Sequence, residues 1–174
     1  SLYRLSAFNG DPHPGNYLFE PGGRVTFLDY GLVKRFTADE LQPFADMIKA
    51  MVLDHDIAEF RRIVEHVGLL APNPEFTDEA IGDYFGHFYA FVADDREMTM
   101  TEEFASETVR RFFDTSGEHG EIMKAANVPK SMVIIQRINL GLYAILGQLD
   151  ATANWRQIAE ELDTATVGRL FEDC

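Results

Sequence analysis

Cysteine is nearly absent from these 174 residues: Cys174, the last of them, stands alone. That excludes an intramolecular disulfide and any multi-cysteine zinc site, and it suits a reducing cytosol. A cytoplasmic location is the expectation, with room for peripheral attachment to a membrane through other parts of a longer chain. Basic residues are also scarce, 15 against 29 acidic ones, for a net charge of −14. Such a field repels phosphate backbones and anionic lipid surfaces, so nucleic acid is not an expected partner. It would oppose a nucleoside triphosphate too, unless divalent cations stand between carboxylates and phosphates. No long hydrophobic run occurs. The most apolar stretch, Met132 to Leu149, carries Gln136, Arg137, Asn139 and Gln148, which mark a buried helix rather than a membrane span. Ser1 to Phe8 includes Arg4 and is too short in apolar residues for a signal peptide. Neither G-x-G-x-x-G nor G-x-x-x-x-G-K-S/T is found, and there is no initiator methionine, so the chain is expected to be a piece of a longer protein.

With 46% hydrophobic residues, the length suits a single domain spanning 1–174. Its first thirty-odd residues differ in kind from the rest. Tyr17-Leu18-Phe19 and Val25-Thr26-Phe27-Leu28 are β-prone runs flanking Glu20-Pro21-Gly22-Gly23-Arg24, a hairpin signal. From Thr37 the pattern is helical. Thr37 and Glu40 make a capping-box pair before Leu41, Phe44 and Met47. Further helices are expected from about Asp56 to Val67 with Gly68 as stop, from near Thr77, and from near Thr101. A short helix after Gly120, the apolar one, and a pair around Trp155–Leu162 and Thr166–Phe171 complete the series. The expected fold is α+β and predominantly α-helical: residues 1–36 form a small hairpin mounted on a bundle of six or more helices over 37–174.

The hairpin carries the chemistry. With its apex at Gly22, Asn16 stands opposite Leu28, so Asn16 and Asp29 meet at the open end. Asp11 lies five residues before Asn16. The intervening Pro12-His13-Pro14-Gly15 is expected to be a stiff, non-helical loop that returns Asp11 to the same mouth. An amide and a carboxylate oxygen suit Mg²⁺, which takes the rest of its shell from phosphate and water, and a second carboxylate nearby can accept a hydroxyl proton. Kinase-like enzymes use this order: a catalytic-loop Asp, four residues, an Asn, and later Asp-Phe-Gly. Here it reads Asp11, Asn16, then Asp29-Tyr30-Gly31.

"FNGDPHPGN" followed by "VTFLDYGLVKRF" resembles the AarF/UbiB family of atypical, protein-kinase-like ATP-binding proteins. The likeness is dense over Phe8 to Phe36, about a sixth of the chain. It implies a kinase-like C-terminal lobe, Asp11 as the catalytic aspartate, Asn16 and Asp29 as Mg²⁺ ligands, and Asn16, Asp29 and Gly31 at the bound ATP. It also points to quinone or isoprenoid-lipid metabolism. In two respects the chain departs from the pattern. The histidine usual two residues before the aspartate is Asn9, and nothing here corresponds to the N-terminal lobe with its phosphate-contacting lysine. That lobe of the same protein is thus an expected partner, and this chain by itself is expected to be inactive.

Only Leu32 to Phe36 separate Gly31 from the cap at Thr37, which leaves no extended activation segment for a peptide substrate. A small-molecule or lipid-related acceptor, or ATPase action, fits better. Two alternatives stay open: a small-molecule phosphotransferase of the aminoglycoside or choline kinase type, and a pseudokinase scaffold that binds without turnover. His55, His66, His87 and His119 show no metal-ligand spacing, and Lys34 and Arg35 are expected to face water.

Overall fold

Gly22 and Gly23 both adopt left-handed backbone conformations, φ 87° and 81°, and between them reverse the chain. The computed structural model describes residues 6–117 and 119–160. On either side of that reversal, β2 (Tyr17–Glu20) pairs antiparallel with β3 (Arg24–Phe27), Tyr17 facing Phe27. One more bond, Leu28 N–H to the Asn16 carbonyl at 2.9 Å, continues this ladder, so Asn16 does stand opposite Leu28. A second ladder lies outside the first. β1 (Ala7–Asn9) pairs antiparallel with β4 (Val33–Arg35), Asn9 facing Val33. The two ladders are halves of one long ribbon that opens in its middle.

Helices follow from residue 38. α1 (Ala38–Ile48) starts at Thr37 with both capping-box bonds formed, and Pro43 is accommodated inside it. It runs on into a π-helical turn, Lys49–Leu53, where the wider spacing sends the Asp54 N–H to the Lys49 carbonyl at 2.9 Å. α2 (Ile57–His66), α3 (Asp78–Ala93) and α4 (Glu102–Arg111) begin at Asp56, Thr77 and Thr101, and each of these side chains accepts from a backbone N–H of the first turn. α5 (Gly120–Ala125), α6 (Lys130–Gln148) and α7 (Trp155–Glu160) complete the described helices. The helix expected over Thr166–Phe171 lies outside the described residues. One further ladder had no counterpart in the sequence reading: β5 (Met98–Met100) pairs with β6 (Ala151–Ala153).

The architecture is α+β and predominantly helical. Its larger apolar core joins α1, α2 and α3 around Met47, Phe60, Val64, Ile81 and Tyr84. A smaller one, Phe36, Leu41, Ile135 and Ile138, lies where β4, α1 and α6 converge, with Phe8 of β1 packed against it. Phe44 packs against both. The small core is the floor on which the opened ribbon rests. Among the described residues no helix is long and apolar enough to cross a membrane.

Candidate functional site

Between its two ladders the ribbon has unequal limbs: residues 10–15 run outward and 29–32 return. The longer limb absorbs its excess in a single 3₁₀ turn, Pro14–Asn16, contrary to the expected non-helical loop. Proline is tolerated there because it occupies the first position of the turn, where its missing N–H has no partner to lose. His13 caps the turn, its Nδ1 accepting from the Gly15 N–H at 3.1 Å. This gives His13 a structural role.

Asn9 spans the opening. Its Oδ1 accepts from the Asp11 N–H at 2.9 Å, and its Nδ2 donates to the Asp29 carbonyl at 2.9 Å. The residue in the place of the usual histidine therefore ties the two limbs together directly. On the far side, the Asp11 carbonyl accepts from the His13 N–H at 2.8 Å and from Asn16 Nδ2 at 3.1 Å. Asp11 is thus held through both its N–H and its carbonyl. Because Asn16 spends its amide nitrogen inward, its Oδ1 is the end left over, and among the described residues that oxygen takes no hydrogen bond.

Asp29 is exposed. Its Oδ1 accepts from the Gly31 N–H at 2.6 Å, which folds the carboxylate back over the turn and leaves Oδ2 without a partner among the described residues. A β-carbon at Gly31 would sit 3.1 Å from that Oδ1, so glycine provides both the donor and the room. The Asp29 and Asn16 oxygens that remain free are both hard donors, the kind Mg²⁺ takes. The described residues contain no group of three or more His, Cys, Asp or Glu side chains able to hold a metal. A cation at this pair would need phosphate and water to fill its shell.

The Asp11 carboxylate is held from α6, where Arg137 Nη2 donates to its Oδ1 at 2.6 Å. The sequence reading used Arg137 only as a mark against a membrane span. A charged residue in the most apolar stretch was the one available signal of its placement. Tyr17 is near as well. Among the described residues its buried hydroxyl has no hydrogen-bond partner, and the phenol is pushed above its ordinary pKa, first by burial and then by the negative charge of Asp11. Lys34 does not merely face water. It pairs with Glu40 of the capping box at 2.7 Å and lies over the Phe36 ring at 5.1 Å.

Asp11, Asn16 and Asp29 are accordingly tied into one hydrogen-bonded network, with Asn9 as the link between the limbs. Residues 1–64 match the family model described as the ABC1 atypical kinase-like domain. That match supports an atypical kinase family. It covers the whole opened ribbon, α1 and most of α2. An uncharacterized protein of Synechocystis sp. is 28% identical over 101 residues, 56% of this chain. The aligned segment amounts to 18% of that relative's length.

Proposed function

We propose that this chain is the C-terminal lobe of an atypical kinase or ATPase of the AarF/UbiB type, a single domain that acts on Mg·ATP together with an N-terminal lobe elsewhere in the same protein. The observation that carries this reading is the opened ribbon. Asp11, Asn16 and Asp29 belong to one hydrogen-bonded network linked by Asn9, and Asn16 Oδ1 and Asp29 Oδ2 take no hydrogen bond among the described residues. Asn16 and Asp29 would hold the cation, and Asp11 would accept the proton of the acceptor hydroxyl or water. A bound Mg²⁺ would neutralise phosphate charge, which would also answer the repulsion expected from a net charge of −14. Gly31 contributes through its N–H, which fixes the Asp29 carboxylate.

A small or lipid-related acceptor, or water, fits better than a protein substrate. After Gly31 and Leu32 the chain enters β4 at once and reaches the α1 cap at Thr37, so no loop is available there to dock a peptide. Quinone or isoprenoid-lipid metabolism is the setting the family resemblance favours.

The test uses the full-length protein. Mg·ATP affinity and ADP release are measured for the parent, Asp29→Asn and Asp11→Asn. Asp29→Asn is expected to weaken metal-dependent nucleotide binding, and Asp11→Asn to leave binding intact while abolishing turnover. Equal binding by all three proteins would remove the ligand assignment. Binding without turnover in the parent would favour the scaffold.

A further inference from the structure

Three consecutive residues of the outgoing limb meet one face of α6. A β-carbon at Gly10 would touch Ile134 Cδ1 at 3.1 Å, Asp11 takes its ion pair from Arg137, and Pro12 is pressed on Gly141. Positions 134, 137 and 141 are one stripe of a helix, spaced three and four apart. The helix therefore sets the catalytic loop residue by residue, and its middle contact is the one that reaches a carboxylate.

The backbone of Asp11 is already fixed by Asn9, His13 and Asn16. What those bonds leave undetermined is the rotation of its side chain. Among the described residues Arg137 is the one group that hydrogen-bonds the carboxylate, and it takes Oδ1 alone. Oδ2 takes no hydrogen bond among the described residues. Both partners are open to solvent, with side chains 43% exposed for Asp11 and 59% for Arg137. An ion pair so exposed contributes only about 0–1 kcal/mol to folding. Stability is thus a poor reason for its placement, whereas orientation of a reacting group is worth far more.

We infer that Arg137 is a positioning residue for phosphoryl transfer: it holds Oδ1 of Asp11 so that Oδ2 is presented to the acceptor hydroxyl or water. This rests on the proposed role of Asp11.

In the full-length protein, ATP turnover and Mg·ATP affinity are compared for the parent, Arg137→Ala, Arg137→Lys and Asp11→Asn. Arg137→Ala is expected to lower kcat by roughly 10- to 100-fold, the effect of an ångström-scale misplacement. Nucleotide affinity and the KM for ATP should stay at parent values. Arg137→Lys should fall between, since a single ammonium can hold one oxygen but without the planar fork. Millimolar guanidinium should restore part of the Arg137→Ala rate, which a purely structural defect would not allow. Parent-like kcat in Arg137→Ala beside an inactive Asp11→Asn would overturn the inference and leave the proposed function standing. Full turnover in Asp11→Asn, or none in the parent, would count against both.

Discussion

Gly141 and Pro12 meet where no side chain fits between them. A β-carbon on Gly141 would lie 2.8 Å from the Pro12 carbonyl oxygen and 3.1 Å from its Cβ. In Gly141→Ala the helix gains about 1 kcal/mol of propensity, but overpacking costs about 1–3 kcal/mol. The cost should win, because what must move is a rigid ring and a backbone carbonyl held in place by the network around Asp11. The thermal midpoint is expected to fall by a few degrees, at about 2–4 °C per kcal/mol in a chain of this size. Gly86→Ala, in α3 with open space at its β-carbon, is the control, and its midpoint should rise instead. Thermal unfolding of both variants decides the matter.

Asn9 offers a sharper test of the cross-brace. Asn9→Ala removes an acceptor from the Asp11 N–H and a donor from the Asp29 carbonyl at once. Each such loss is worth about 1 kcal/mol. The Asp11 amide should then exchange with solvent at least roughly tenfold faster, a factor that corresponds to about 1.4 kcal/mol of local opening. Asn9→Asp keeps the acceptor and loses the donor. It should protect the Asp11 amide while still loosening the returning limb. Residue-resolved hydrogen exchange separates the two variants.

Much of the ribbon could be read from sequence because its signals are local. The Pro21-Gly22-Gly23 apex fixes the count, and the count fixes Asn16 opposite Leu28. Helix starts were equally plain at Thr37, Asp56, Thr77 and Thr101, since a cap and its first turn lie within four residues. Three things had no local signature. The β1–β4 ladder joins strands of three residues across the whole hairpin, too short for alternation to be visible. Arg137 reaches Asp11 from 126 residues away. Asn9 was read only as a missing histidine, because an amide that accepts with one end and donates with the other shows its use only when both partners are in view.

Glu40 gives a pH signature. Its carboxyl is held below the ordinary range, first by the hydrogen bond from Lys34 and then by the Thr37 backbone N–H. A depressed carboxylate pKa stabilises the fold above the unfolded-state value near 4.5 and ceases to do so as pH falls through the lower folded-state value. The parent should therefore be more stable than Glu40→Gln at pH 7. That gap should close on acidification below the usual glutamate range. Thermal midpoints of the two proteins from pH 7 down to about 3 measure it, and a gap independent of pH would mean that the carboxylate charge is irrelevant to the cap.

Phe60 tests whether the two cores are separable. It is 0% exposed, at the centre of the larger core, with the Phe85 and Tyr89 rings at 5.4 and 5.8 Å. Phe60→Ala should cost about 3–5 kcal/mol, a large part of the 5–15 kcal/mol that typically holds a domain together. The opened ribbon rests on the other core, through Phe8, Phe36, Ile135 and Ile138, and Phe44 packs against both. Below its lowered unfolding temperature, Phe60→Ala should therefore bind Mg·ATP in the full-length protein as the parent does. Phe44→Ala, although only partly buried, should weaken both stability and binding. If Phe60→Ala lost nucleotide affinity while still folded, the floor of the site would extend through the larger core, and α2 and α3 would have to be counted among the elements that set Asp11 and Asp29 in place.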